Sequence, residues 1–399
     1  MFYDFPEINN IKQVMEAIQG KDEFVVKIDE KNGYQIVNYV VSTRDTFPEI
    51  KDINDAILRE CRGITFSLDG SVISRKYHKF FNLGERTETN FNKINLNIKH
   101  WFMEKLDGSM LTPIILSNGD IRWCTKMGLT AVAEPVDLFV KNSDIPYNSF
   151  ICDQVSIYNR TPIFEWCSKK QRIIIDYPED KLILTAIRDN ITGKYVYNPD
   201  ELKELGNFYN IPVVNSVAGG NLTINEIQDY IRNLKDSEGI VIRFVNGHMV
   251  KVKSDWYVNL HRTMEKLLFE KDIIKLILDE KLDDVKPVID DKLIKNLDDF
   301  SNSIFSYIIS LSEKLWKISY TSYKNLNGNK KRFALEVVHP DLFNRNHSKF
   351  LFNSFDNITE DSSLLYNHLI EYIKNNLTSQ TKVDQIRYLI GNNKWDDWK

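Results

Sequence analysis

From Leu293 onward apolar side chains return every three or four residues, at Leu297, Phe300, Ile304, Ile308, Leu311 and Leu315. That spacing keeps them on one face of an α-helix, so the segment predicts a long amphipathic helix with one buried side. Arg262 to Leu282 and Ser362 to Leu377 read as helices too. Upstream the texture differs. Gly33 to Val41 is rich in β-formers, and Gly63 to Ile73 predicts a hairpin turning at Asp69-Gly70. Met1 to about His100 mixes short strands with a helix, and Trp101 to Lys253 stays strand-dominated, with helices expected near Ala131 to Lys141 and Thr223 to Leu234. At the end of that stretch Lys251 and Lys253 alternate with Val250 and Val252, which sets both ammonium groups on one face of a strand. The change of period falls between residues 255 and 265. It predicts an α+β domain over 1–258 and an all-helical domain over 259–399, with no internal repeat and no low-complexity linker.

Composition adds limits more than content. At 399 residues the chain is long enough for two domains that each bury a core. With 42% hydrophobic and 27% charged residues it reads as soluble and globular. Cys61, Cys124, Cys152 and Cys167 lie far apart with no Cys-x-x-Cys, which predicts neither a zinc site nor a disulfide framework and suits a reducing compartment. The first residues carry acids where a signal peptide has bases, and no apolar run approaches about 18 residues, so a cytoplasmic protein with no membrane partner is expected. A net charge of -4 means that any nucleic-acid contact must be local. Lys169-Lys170 with Arg172, and Asn329 to Phe333, are the candidate basic patches, although short charge runs are usually solvated loops.

The densest chemistry lies in Glu104-Lys105-Leu106-Asp107-Gly108-Ser109, directly after the apolar run Trp101-Phe102-Met103. It reads as a lysine leaving a strand into an Asp-Gly turn. A lysine that attacks a phosphoryl or carbonyl centre must lose its proton, so it needs cationic neighbours or partial desolvation. Other segments supply cations and acids in an order that suits a nucleoside triphosphate: Glu60-Cys61-Arg62-Gly63, His78-Lys79-Phe80-Phe81-Asn82-Leu83, Lys126, Phe164-Glu165-Trp166, Ser237-Glu238-Gly239-Ile240-Val241, and Lys251-Val252-Lys253-Ser254-Asp255-Trp256-Tyr257 followed by Leu260-His261.

In order and spacing these segments resemble the covalent nucleotidyltransferases, and among them the phage-type ATP-dependent RNA ligase 1 family. The resemblance covers about Tyr34 to Asp284. Two positions depart from it: Leu106 stands where relatives often carry an acid, and Trp166 where an aliphatic residue or Phe is commoner. The extension typical of DNA ligases and capping enzymes is not visible. What the resemblance implies is an adenylation domain with antiparallel sheets, ATP as substrate, Mg2+ or Mn2+ as cofactor, and RNA with 5′-phosphate and 3′-hydroxyl ends as partner, such as a tRNA broken in its anticodon loop. It implies a monomer in the cytoplasm, or in the host cytoplasm if the source is viral. Lys105 resembles the nucleophile that becomes lysyl-AMP. Lys251 and Lys253 resemble the α-phosphate ligands, Arg62 and Lys79 the residues on the outer phosphates, and Lys126 and Tyr39 further nucleotide contacts. Glu165 is similar to the acceptor of ribose hydroxyls, Glu238 to the leading metal ligand, Asp107 to a water-mediated one, and the Asp283-Asp284 pair to acids near a metal. Tyr257 resembles a position needed for sealing. Nick-sealing on duplex RNA or DNA, or RNA binding without catalysis, are the alternatives.

Overall fold

The computed structural model describes residues 5–43, 45–286, 289 and 291–397. The chain folds as two compact units, Met1–Asn259 and Leu260–Lys399. The first is α+β with antiparallel sheets, as expected.

Three sheets make up that first unit. One has four strands, β1 (Phe24–Asp29), β2 (Tyr34–Tyr39), β3 (Arg62–Ser67) and β4 (Val72–Ser74), in that order. β3 and β4 form the hairpin predicted around Asp69-Gly70, with Thr65 opposite Ser74. The five-stranded sheet contains β5 (Phe81–Asn82), β6 (His100–Glu104), β11 (Ser216–Ala218), β12 (Gly239–Phe244) and β13 (Met249–Lys253), in the order β11-β6-β12-β13-β5. The remaining sheet has the order β10-β9-β7-β8 and is built from β7 (Ser109–Ile115), β8 (Ile121–Cys124), β9 (Arg160–Cys167) and β10 (Lys181–Asp189). β6 and β7 are separated only by the turn that holds Lys105, so the predicted nucleophile sits where the chain leaves one sheet for another.

Several helices begin where side chains cap them. Asn10 opens α1 (Ile11–Ala17) in a capping box with Gln13, and Asp52 accepts from the Asp55 amide at the start of α2 (Ile53–Glu60). The helix expected near Ala131 to Lys141 is α3 (Glu134–Lys141). α4 (Tyr147–Cys152) and α5 (Pro199–Tyr209) were not foreseen, yet α5 carries its own signal: Asn198 caps it, Pro199 stands at its first position and Glu201 completes the box. α6 (Ile224–Arg232) starts at Thr223 with the same device.

Arg262 to Leu282 is not one helix. α7 (Asp255–Leu267) and α8 (Glu270–Leu278) are separated at Phe269, whose backbone is extended at φ -111°, ψ 117°. Glu270 then receives two Arg387 nitrogens at 2.7 Å and the Trp395 amide at 2.9 Å, which fixes the start of α8. The long predicted helix is α9 (Asp291–Asn325), with Leu297, Phe300, Ile304, Ile308, Leu311 and Leu315 all buried, and Ser363–Asn376 forms the last helix expected. These helices share one apolar core with the segments around Phe333, Phe350 and Ile386. Among the described residues no helix is long and apolar enough to cross a membrane.

Candidate active site

Strand register brings together what the sequence spreads over 150 positions. Ile240 pairs with Glu104 and Gly239 pairs with Lys253, so Lys105, Glu238 and the β13 lysines arrive at one end of adjacent strands. The Lys105 amide also donates to the Gly239 carbonyl at 3.0 Å. Glu238 is buried, and its Oε1 takes Lys105 Nζ at 2.7 Å and Lys253 Nζ at 2.9 Å. Gly239 has a positive φ of 130°, and a Cβ there would lie 2.1 Å from the Val252 carbonyl oxygen. Only glycine lets the two strands close on Glu238 in this way.

Lys251 lies on the same face of β13. Its Nζ stands 4.6 Å from the centre of the Phe80 ring, and Arg62 approaches that ring at 5.9 Å. Burial, joined by the charges of Arg62, Lys105, Lys79 and Lys253, pushes the Lys251 amine well below the usual lysine range. Phe80 belonged to a recognised segment, but nothing in the sequence signalled that its ring holds two cations.

A second cluster comes from the first sheet. Lys79 Nζ and Lys126 Nζ each stand 4.7 Å from the Tyr39 ring, and Lys79 also donates to the Tyr39 hydroxyl at 3.4 Å. Burial alone would raise the Tyr39 phenol, but Arg62, Lys79 and Lys126 outweigh it and hold it below 10.0. Gly63 makes this approach possible: it has φ 85°, and a Cβ would come within 2.6 Å of the Lys126 Cα. Beneath it, Glu60 is locked by Arg75 at 3.0 Å and by Arg188 at 2.8 Å, all three with no exposed surface in their side chains. The Arg59 carbonyl accepts from the Lys79 amide at 2.7 Å and the Cys61 carbonyl from the Tyr39 amide at 3.1 Å, so this anchored segment sets both residues beside Arg62. Sequence inspection marked Glu60 as part of a motif but could not find its partners, which lie 15 and 128 residues away.

Glu165, on β9, faces the same group. Burial pushes its carboxyl up to about 7; Lys105 and Arg62 pull it down while Glu238 and Asp107 push it further up. Asp107 is engaged within the protein. Its Oδ2 accepts the Ile174 and Ile175 amides, both at 2.7 Å, and its Oδ1 accepts the Tyr257 hydroxyl at 2.6 Å. Its carboxylate therefore acts as a buried junction, a different engagement from the water-mediated metal contact expected. Lys253 Nζ lies 5.0 Å from the Tyr257 ring, which brings Tyr257 into the group.

Asp283 sits in a short turn of the second unit, paired with Lys286 at 3.1 Å, and the Asp284 side chain lies outside the described residues. Among the described residues no cluster of three or more His, Cys, Asp or Glu side chains is placed to hold a metal. Magnesium commonly takes one or two carboxylates and completes its shell with waters and substrate phosphates. Glu238, whose Oε1 alone is shared by the lysines, fits that donor set.

Comparison with known proteins gives the following likenesses. The profile of the family described as RNA ligase matches residues 60–257. A Thermovibrio ammonificans protein named as a candidate RNA ligase is 29% identical over 333 residues, covering 79% of this chain and 83% of its own. RNA ligase 1 of bacteriophage TS2126 is 31% identical over 125 residues, 30% of each chain. A solved archaeal ATP-dependent RNA ligase superposes with a TM-score of 0.44 at 16% identity, covering 62% of either chain. The profile match runs from the end of α2 to the first turn of α7 and so takes in the cations of both clusters, though not Tyr39, and the relatives carry the same name: the chain belongs to the RNA ligase family, of the RNA ligase 1 type.

Proposed function

We propose that the protein joins RNA ends at the expense of ATP, through a lysyl-AMP and an AMP-capped RNA. The observation that carries this reading is the single carboxylate oxygen of Glu238 held between Lys105 and Lys253, with Lys251 two residues away on the same face. In the first step the Lys105 amine attacks the α-phosphorus of ATP. A P–N bond forms, the P–O bond to pyrophosphate breaks, and the amine gives up a proton. Lys251 and Lys253 sit where negative charge would gather on the α-phosphate oxygens. Arg62, Lys79 and Lys126 would hold the outer phosphates, Tyr39 would face the nucleotide, and Glu165 would accept from ribose hydroxyls. A 5′-phosphate oxygen of RNA then attacks the adenylate phosphorus and frees Lys105. Last, a 3′-hydroxyl attacks the capped phosphate and AMP leaves. A divalent ion such as Mg2+ bound at Glu238 would offset charge on the phosphate oxygens.

Broken tRNA loops or other single-stranded ends are the proposed substrates, with the second unit selecting them. Asn329 to Phe333 contributes little to that selection, because Lys330 pairs with Asp356 and Arg332 with Glu336. A better candidate is the exposed stripe Lys314, Lys317 and Lys324 on α9, where Lys314 lies over Phe343 at 3.7 Å and Lys324 over Tyr320 at 4.1 Å. Replacing all three by Gln should remove preference for nicked tRNA over a linear oligonucleotide, and unchanged preference would refute the assignment.

The ligase reading is tested by incubating the protein with α-labelled ATP and magnesium, then adding 5′-phosphorylated RNA. Label is expected first on protein, then on the RNA 5′ end, and finally in free AMP as joined RNA accumulates. A protein that never takes up label would overturn the reading.

A further inference from the structure

The segment between β9 and β10 belongs to no part of the chemistry derived so far, yet it grips the turn that carries Lys105. Its base is stiffened by Asp180, which accepts from Ser168 Oγ at 2.9 Å and from the Lys169 amide at 2.8 Å. Arg172 Nε donates to the Ile174 carbonyl at 2.8 Å. From this loop the Ile174 and Ile175 amides bind the Asp107 carboxylate, and the Tyr177 hydroxyl accepts the Asp107 amide hydrogen at 3.0 Å. Asp107 is thus held from the same loop at both its side chain and its main chain.

Leu106 completes the grip. It is 8% exposed and lies in an apolar cluster with Met103, Cys167 and Val214, against which Tyr177 packs. An acidic side chain at position 106 would be buried in this apolar cluster and would be costly. The residue next to Lys105 is thus anchored by apolar contact, and Tyr177 serves both that contact and the hydrogen bond one residue on.

We propose that Tyr177 is a positioning residue for Lys105, fixing the Leu106-Asp107 peptide so that the lysine leaves β6 toward the nucleotide. The proposal rests on the ligase reading above. Its consequence is specific to lysyl-AMP formation, because joining a pre-adenylated RNA does not use Lys105 as nucleophile.

Tyr177→Phe keeps the ring in the cluster and removes only the hydroxyl. At saturating ATP its rate of lysyl-AMP formation should fall about tenfold, as expected for loss of a buried hydroxyl and its hydrogen bonds to the Asp107 amide and Cys167. Half-saturation by ATP and the sealing of pre-adenylated RNA should each stay within about twofold. Leu106→Met, which conserves volume, should behave as the parent protein, whereas Leu106→Glu should lose more than Tyr177→Phe in the same step. An equal loss in both steps, an altered ATP requirement with an unchanged rate, or no loss at all in Tyr177→Phe would overturn the positioning role. If the parent protein itself forms no lysyl-AMP, the ligase reading falls and this inference falls with it; normal labelling of the parent protein confines any failure to Tyr177.

Discussion

The two cation clusters of the candidate site differ in that one contains a carboxylate and the other does not, while Lys251 and Arg62 meet over the Phe80 ring between them. On the five-stranded sheet, Lys105 and Lys253 converge on the buried carboxylate of Glu238 at 2.7 and 2.9 Å, so their charge is offset in part within the protein. On the side of the first sheet, Lys79 and Lys126 lie over the Tyr39 ring and Arg62 reaches toward Phe80, and among the described residues none of the three pairs with a carboxylate. An aromatic face orients a cation without cancelling its charge. The first arrangement suits groups that act on the reacting phosphorus and must be placed before substrate arrives. The second leaves positive charge available for a polyanion, which is what the β- and γ-phosphates of ATP would supply.

If that contrast is right, substitutions on the two sides should separate by reaction step. The largest effect is expected for Lys105→Ala: protein labelling by α-labelled ATP should vanish, while a pre-adenylated RNA is still joined to a 3′-hydroxyl. Any label on the variant protein would break the assignment. Lys251→Ala and Lys253→Ala come next. Each removes a cation from the reacting phosphate, and both lysyl-AMP formation and sealing should slow by roughly a hundredfold or more. A loss confined to one step would show that these lysines act elsewhere. Arg62→Ala and Lys79→Ala should weaken mainly the ATP-consuming step, by about tenfold, because only that step has a pyrophosphate leaving group. Equal damage to the sealing of pre-adenylated RNA would erase the distinction between the two clusters.

The smallest effect concerns stability. Burial raises Glu165 in the folded protein from 4.5 to about 7. Between those values the folded state keeps a proton that the unfolded state has released, so this contribution is full below 4.5 and is lost as pH rises through about 7. Glu165→Gln should therefore lose the corresponding slope: the melting temperature of the parent protein, relative to the variant, should drop by a few degrees from pH 4.5 to about 8. Parallel curves would show that Glu165 is ionised throughout.

How much of this could be read in advance depended on range. The hairpin at Asp69-Gly70, the helix capped by Thr223 and the long helix α9 follow from local spacing and capping, so residues within a few positions of one another announced them. The break at Phe269 escaped that reasoning, because Glu270 is held by Arg387, 117 residues away. The capping box of Asn198 and Glu201 is, by contrast, a local signal carried by residues three positions apart.

By itself the sequence determined which chemical groups are available and on which strands they stand: a lysine before an Asp-Gly turn, two lysines at period 2, a glutamate beside a glycine. It also determined the change from sheets to helices, since both follow from periodicity. Only the tertiary structure decided which of these groups share a partner. That Glu238 offers one oxygen to two lysines, that Asp107 faces inward to Ile174, Ile175 and Tyr257, and that Tyr177 binds the turn after Lys105 are consequences of strand register and of a loop folding back across a sheet. Pairings of that kind join positions tens to more than a hundred residues apart, and no local rule of spacing carries information over such distances.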